Sequence, residues 1–304
     1  MKNENPIAHY HLPGLFEFYD LYRVFLPIYR EHPGFFYDWC DIASIYGAPS
    51  DCLWSGGRLG GGDCSASDVL ELLSEYGISG RLTFSNSLLD AGHLQDRKCN
   101  ALCELFEKEG QGCHGVIVHS DLLLNFLKER YPGLYFVSST TKVLTTFEEL
   151  KAELKRDEFS FVVPDFRLNK QFDDLGKLPD EAKSKVEFLC NECCNFECPK
   201  RRECYENVSR IVLGTDDPNR PFVCSSSTAS EGYRFSKAMR NPGFIGIDDI
   251  RDTYLKMGFS NFKIEGRSLG SALILEFLLY YMTRPERQLE VREMIYLDNE
   301  LDLF

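Results

Sequence analysis

Short β-rich runs and amphipathic helical segments alternate along almost the whole of this 304-residue chain, and that alternation limits the folds open to it. The β-rich runs are Cys40–Tyr46, Arg81–Phe84, Gly115–Val118, Leu134–Val137, Phe159–Val163, Val186–Leu189 and Phe262–Ile264. A weaker eighth lies at Phe222–Cys224 or Phe244–Ile247. Between them Val69, Leu70, Leu72, Leu73 and Tyr76 share one helical face, as do Cys99, Leu102, Cys103 and Phe106. Ser120 is placed to cap a helix over Leu122–Arg130, and Thr146 with Glu149 reads as a capping box before Leu150–Leu154. Ile250, Tyr254, Leu255 and Met257 make another stripe, and Leu269–Met282 is the last long helix. This count favours a single-domain (β/α)8 TIM-like barrel over an open doubly wound sheet. The barrel is expected over residues 37–283. Residues 1–36 read as an N-terminal helical extension, with an aromatic segment from Leu15 to Tyr29 broken by Pro27, and 284–304 as a C-terminal tail.

A chain of this length, 43% hydrophobic and 27% charged, can bury a full core. Its net charge of -13 argues against a sequence-blind nucleic-acid binder, which presents a basic surface. The first residues, Met1 to His9, lack the apolar run of a secretory signal. The longest apolar stretch, Ala272–Met282, carries Glu276 and is too short to span a bilayer. The expectation is a cytoplasmic protein off the membrane, in which twelve cysteines serve as thiols or metal ligands rather than disulfides.

Five of those cysteines, Cys190, Cys193, Cys194, Cys198 and Cys204, fall within fifteen residues, with Cys224 closing the loop 190–224. Thiolates at that density are a ligand set for zinc or for an iron–sulfur cluster. Structural zinc sites usually pair two C-x2-C knuckles. Here the order is Cys194-x3-Cys198-x5-Cys204-x19-Cys224, with Cys190 and Cys193 as alternates, and the second knuckle is missing. Pro199 directly follows Cys198, as after some cluster ligands. An iron–sulfur cluster is therefore favoured over zinc, and a metal-free thiol group comes last. Cys99 and Cys103, one turn apart on an apolar face, read as core thiols, while Cys40 and Cys64 stand where they could reach the rim.

In a barrel of this kind the chemistry sits where strands end. The residues after the β-rich runs include Arg58 in a glycine-rich loop, His119, Lys142, Asp165, Arg167, Glu192, Glu265 and Arg267. Glu265, Arg267, Asp165 and His119 are the catalytic candidates. Arg58, Lys142 and Arg167 are the substrate-binding candidates, since their cations suit a small anionic substrate. The plainer readings are a hydrogen-bonded structural His119 and a Glu265–Arg267 pair that braces the barrel. The glycine-rich loop runs into a helix start at Ser65 or Ser67 and could hold an anion, although it has neither dinucleotide nor P-loop spacing.

The segment Asn241-Pro-Gly-Phe-Ile-Gly-Ile-Asp-Asp-Ile through Phe262-Lys-Ile-Glu-Gly-Arg267 resembles the closing block of the collagenase-like peptidase family U-thirty-two. The cysteine-rich region stands upstream of it, as in that family. The resemblance is carried mainly by Asn241–Arg267 and less by Val186–Cys224, and before that it is topological. It implies a barrel with a four-iron four-sulfur cluster on four cysteines, which here would be Cys194, Cys198, Cys204 and Cys224. It also implies oxygen-independent hydroxylation as one reaction type, and paired subunits, either homo- or hetero-dimeric. The cysteine spacing here is tighter than the family's. Two other readings are a zinc-dependent hydrolase with Glu192 or Glu265 as general base, and a non-catalytic partner subunit carrying a cluster.

Overall fold

The computed structural model describes residues 6–58, 60, 62, 64–224, 226 and 232–298. Eight strands form one sheet: β1 (Ala8–Pro13), β2 (Cys40–Gly47), β3 (Ser79–Phe84), β4 (Gly115–Val118), β5 (Tyr135–Ser138), β6 (Phe159–Val162), β7 (Glu187–Leu189) and β8 (Asn261–Lys263). They lie in the order β6-β5-β4-β3-β2-β1-β8-β7, with every neighbouring pair parallel. A parallel bridge from Val162 to Val186 brings the two edges together, so the sheet is a nearly closed (β/α)8 barrel.

The eighth strand is β1, and neither Phe222–Cys224 nor Phe244–Ile247 forms one. β1 is held from both sides, by β2 through pairs such as Ala8 with Cys40 and by β8 through Tyr10 with Phe262. Residues 1–36 are therefore no extension outside the barrel. β1 and the helix after it, α1 (Tyr19–Glu31), make its first β/α unit. α1 also runs through Pro27 rather than breaking there. Proline removes the donor that the Arg23 carbonyl would use, and Arg23 is exposed, so water can serve that carbonyl instead.

The remaining helices are α2 (Ala66–Tyr76), α3 (Arg97–Gly110), α4 (Asp121–Arg130), α5 (Phe147–Leu154), α6 (Phe172–Gly176), α7 (Asp180–Lys185), α8 (Arg201–Leu213), α9 (Phe235–Ala238), α10 (Ile247–Asp249), α11 (Ser271–Met282) and α12 (Gln288–Glu293). Local chemistry sets several of their ends. The Ser65 and Ser120 hydroxyls accept from the backbone of Asp68 and Leu123, and Thr146 and Glu149 form the reciprocal capping box. Gly77, at φ +66°, closes α2 in the left-handed conformation. α12 packs back on the barrel, with Val291 and Ile295 buried and Arg292 paired with Glu276 of α11. The last residues of the expected tail, 299–304, lie outside the described residues.

Two layers fill the inside of the barrel. One is apolar, made by Tyr46, Ile117, Val137, Val163 and Leu189. The other is charged. Glu187 receives Arg81 Nη1 at 2.5 Å and Lys263 Nζ at 3.0 Å, with His11 Nε2 3.6 Å away. All four side chains are essentially inaccessible. Burial alone would raise the Glu187 carboxyl, but Arg81 above all, with Lys263, holds it well below the usual range. Burial, helped by Arg81, lowers His11 to about 3. Burial also lowers Lys263 to about 8, against the pull of Glu187.

Candidate active site at the barrel mouth

Four of the expected strand-end residues, Arg58, Glu192, Glu265 and Arg267, meet above the charged layer. β7 runs into Asn191 and Glu192, and β8 into Glu265 and Arg267. The loop after β2 brings Arg58 across, because Gly57 sits at φ +75° and a Cβ there would lie 2.8 Å from Arg267 Nη2. Asn191 ties the two strand ends together. Its Nδ2 donates to the Glu265 carbonyl at 2.9 Å, and its Oδ1 accepts from the Glu265 backbone at 2.7 Å.

The side chains form a chain in which arginines and acids alternate. Arg167 Nε lies 3.1 Å from Asp165, and the other Asp165 oxygen is 3.2 Å from Arg201 Nε. Arg201 pairs with Glu192 at 2.7 Å, Glu192 with Arg58 at 2.9 Å, and Arg58 with Glu265. The two glutamates end up in different states. Burial opposes ionisation of both, but Arg201 and Arg58 hold Glu192 well below the usual range. Burial and the neighbouring Glu192 charge push Glu265 above it. Glu265 Oε2 is buried and accepts no hydrogen bond from the described residues.

Two cavities open on either side of Arg58 and Tyr205. The larger, about 290 Å3, is lined by Cys194, Cys198, Cys204 and Cys224, together with Arg201. The smaller, about 40 Å3, is lined by Lys263, Glu265, Arg267, Glu192 and Tyr46. Arg267 contributes a guanidinium that no carboxylate pairs among the described residues. Its one hydrogen bond goes to the Gly56 carbonyl at 3.2 Å.

The sequence candidates divide accordingly. Glu265, Arg267 and Arg58 face the small cavity. Asp165 and Arg167 stand behind the cysteine loop, where Arg167 Nη2 donates to the Cys198 carbonyl at 3.2 Å. His119 is bound to Thr141 Oγ1 at 2.8 Å, and burial with nearby Lys142 and Arg202 lowers it to about 4. Lys142 is paired with Glu153 at 2.5 Å. Neither His119 nor Lys142 lines either cavity. Glu265 and Arg267 do not pair with each other.

Among the cysteines, Cys194 lines the cavity and its alternates do not. Cys190 is core, its thiol directed to the Phe188 carbonyl, and Cys193 lines neither cavity. Cys99 and Cys103 are fully buried core thiols. Cys40 starts β2 at the opposite end of the barrel from the mouth, with its thiol on the Tyr37 carbonyl, so it cannot reach the rim. Cys64 lines neither cavity. Ser65 is the N-cap expected of the glycine-rich loop, of which Leu59, Gly61 and Asp63 lie outside the described residues.

Arg201, Tyr205 and Lys263 are site residues that the strand-end reasoning passed over. Lys263 carried a legible signal. In Phe262-Lys263-Ile264-Glu265 the period-two alternation puts Lys263 on the same inward face as Glu265. Arg201 and Tyr205, four apart on α8, had only their nearness to the cysteines.

The donor set can be tested against the metals it suggests. Four soft thiol donors share one cavity, the right chemistry for zinc or iron–sulfur. Among the described residues no group of three or more His, Cys, Asp or Glu side chains is drawn together so that it could hold one metal ion. Burial, with the nearby Glu192 charge, raises Cys194 to about 11, so its proton would have to leave on metal binding. The described residues thus show four thiols around one cavity and no closed metal-ligand set.

No known family's model matches the sequence, and no curated protein matches it. Among solved structures the chain is similar to the U32 peptidase Mk0906, with 14% identity, a TM-score of 0.51, and coverage of 88% of this chain and 96% of that one. The likeness is one of fold. A looser match is the Bacillus cereus spore cortex-lytic enzyme SleL, at 12% identity and a TM-score of 0.39, covering 91% of this chain and 76% of that one. Among the described residues no helix is long and apolar enough to cross a membrane.

Proposed function

We propose that this chain is an iron–sulfur enzyme of a reducing, cytoplasmic compartment that acts on a small anionic substrate at the barrel mouth. The observation that carries the reading is the sharing of one cavity by Cys194, Cys198, Cys204 and Cys224, next to a second that holds Arg267, which pairs with no carboxylate among the described residues. In a four-iron cluster each cysteine meets its own iron, so thiols that ring a cavity suit it better than they suit mononuclear zinc. The fold shared with a U32 peptidase agrees with the resemblance seen around Asn241–Arg267. Bound there on all four thiols, a cluster would supply electron transfer for redox chemistry, of which hydroxylation is one form.

The chain's own residues have separable roles in this reading. Arg267 and Arg58 bind the substrate's anionic group, as planar guanidinium donors do well. Glu265, kept protonated by burial, is placed to donate a proton in the small cavity. Glu192 and Arg201 fix the loop that carries the cysteines. The zinc-hydrolase reading is weaker, because a water-activating zinc needs mainly nitrogen or oxygen ligands with one position open.

The deciding experiment is anaerobic purification followed by an absorbance spectrum and assays of iron, acid-labile sulfide and zinc. Brown protein with iron and sulfide in stoichiometric amounts, bleaching in air, is the expected result. Stoichiometric zinc without visible absorbance would overturn it.

A further inference from the structure

We propose that Lys263 is a nucleophile that captures the carbonyl group of a small 2-oxo acid as an imine in the mouth cavity. The inference rests on the reading of that cavity as an anion site and goes beyond it by naming the substrate's reactive group and the residue that bonds to it.

Among the described residues Lys263 is the one lysine lining either mouth cavity, and its side chain is 5% exposed. Each element packed around its amine presents a group of known character. Glu187 of β7 accepts from it at 3.0 Å, the Tyr46 ring of β2 lies 3.7 Å from it, and Arg81 of β3 and His11 of β1 share the same carboxylate. Arg267 adds positive charge from above. Two buried cations thus share one carboxylate, since burial keeps His11 neutral. Arginine keeps its proton in proteins, so the lysine is the member that restores neutrality by giving one up. The resulting neutral amine is the nucleophilic form, and burial beside other cations lowers it to about 8.

The other lining groups supply what imine formation needs. Arg267, without a carboxylate partner among the described residues, receives the substrate carboxylate. The Lys263 nitrogen attacks the neighbouring carbonyl carbon, forming a C–N bond as the C=O π bond opens, and one of its two protons passes to the carbonyl oxygen, which becomes a hydroxyl. That hydroxyl leaves as water on a proton from Glu265, and the remaining proton on nitrogen returns to the Glu265 carboxylate as the C=N bond forms. The sum is amine plus carbonyl giving imine plus water, with no oxidant or reductant required. A cavity of about 40 Å3 admits the carbonyl end of a small acid and little more.

The test is reductive trapping on the full chain as purified, using pyruvate and glyoxylate with sodium cyanoborohydride, followed by peptide mapping. Iron and sulfide are measured on the same sample. One reduced adduct on Lys263 is expected. It should be lost in Lys263→Arg, and its yield at limiting probe should fall about tenfold in Arg267→Ala, which removes a charged hydrogen bond. No adduct, or label only on exposed lysines such as Lys108 and Lys177, overturns the proposal. Should Lys263→Arg not fold, the wild-type map decides alone. Lactate, the same anion without the carbonyl, separates the two readings. Protection or binding by lactate with no adduct from pyruvate overturns the imine and leaves the anion site standing. An adduct on iron-free protein upholds the imine and counts against the cluster.

Discussion

Arg201 Nη2 lies 2.7 Å from Glu192 Oε2, so the first turn of α8 is bolted to the end of β7 through a buried ion pair. The segment between the two residues carries Cys193, Cys194 and Cys198, and the Cys194 backbone donates to the same carboxylate at 2.8 Å. The pair sets where the thiols stand. Replacing Arg201 with methionine leaves Asp165 and Glu192 with one cation each. The expected cost is about 3–5 kcal/mol, the usual penalty for a buried charge that loses its partner. Urea denaturation measures it, and a loss within experimental error would mean that α8 is anchored some other way.

The four cavity thiols should behave differently from the other cysteines. Cys194→Ser, Cys204→Ser and Cys224→Ser should each lower iron and sulfide content after anaerobic reconstitution. Cys113→Ser, on an exposed thiol away from the cavity, should leave it unchanged. Equal metal content across all four variants would remove the cysteine loop from the cluster reading.

Arg267→Ala is expected to weaken anion binding at the mouth while keeping fold and iron content. Its one hydrogen bond among the described residues is to a backbone carbonyl, so its removal strands no buried carboxylate among them. A charged hydrogen bond to a ligand is worth about 1.5–3 kcal/mol, so affinity for pyruvate or inorganic phosphate should drop roughly ten- to a hundredfold. Calorimetric titration reads this directly. A variant that instead unfolds or loses its iron makes Arg267 a brace.

His11 should make the protein acid-sensitive above the range where carboxylates act. Its imidazole, lowered from 6.5 to about 3 by burial and Arg81, declines a proton that the unfolded chain takes up. Its contribution is complete above pH 6.5 and is lost, at about 1.4 kcal/mol per pH unit, as pH falls toward 3. Glu265, held protonated by burial, works in the opposite sense as pH falls, so the informative quantity is the difference between wild type and His11→Gln. Denaturation midpoints at pH 7, 6 and 5 should converge as the pH drops. Parallel curves would show that His11 does not govern acid sensitivity.

Much of the barrel was legible because its signals are local. Gly115–Val118 and Phe159–Val163 are apolar runs whose burial needs no distant information, and the caps at Ser120 and Thr146 depend on residues three places away. Ala8–Pro13 was illegible for the opposite reason. Two histidines and a proline in six residues give it weak strand character, and it becomes a strand because β2 and β8 pair with it from either side. Strand preference is largely a matter of such context.

The same division runs through the site. The sequence by itself determined the chemical inventory: clustered thiols, an inward-facing Lys263–Glu265 alternation and a set of arginines and carboxylates where strands end. Each of these follows from residue type and short-range periodicity. Only the tertiary structure decided the partners. It gave Lys142 to Glu153 and Arg58 to Glu265, left Arg267 without a carboxylate among the described residues, turned Cys190 into the core and Cys194 into the cavity, and closed Arg81 and Lys263 over one buried Glu187. Ion pairing and burial act over a few ångströms between residues far apart in sequence. Their outcome is fixed when the barrel closes.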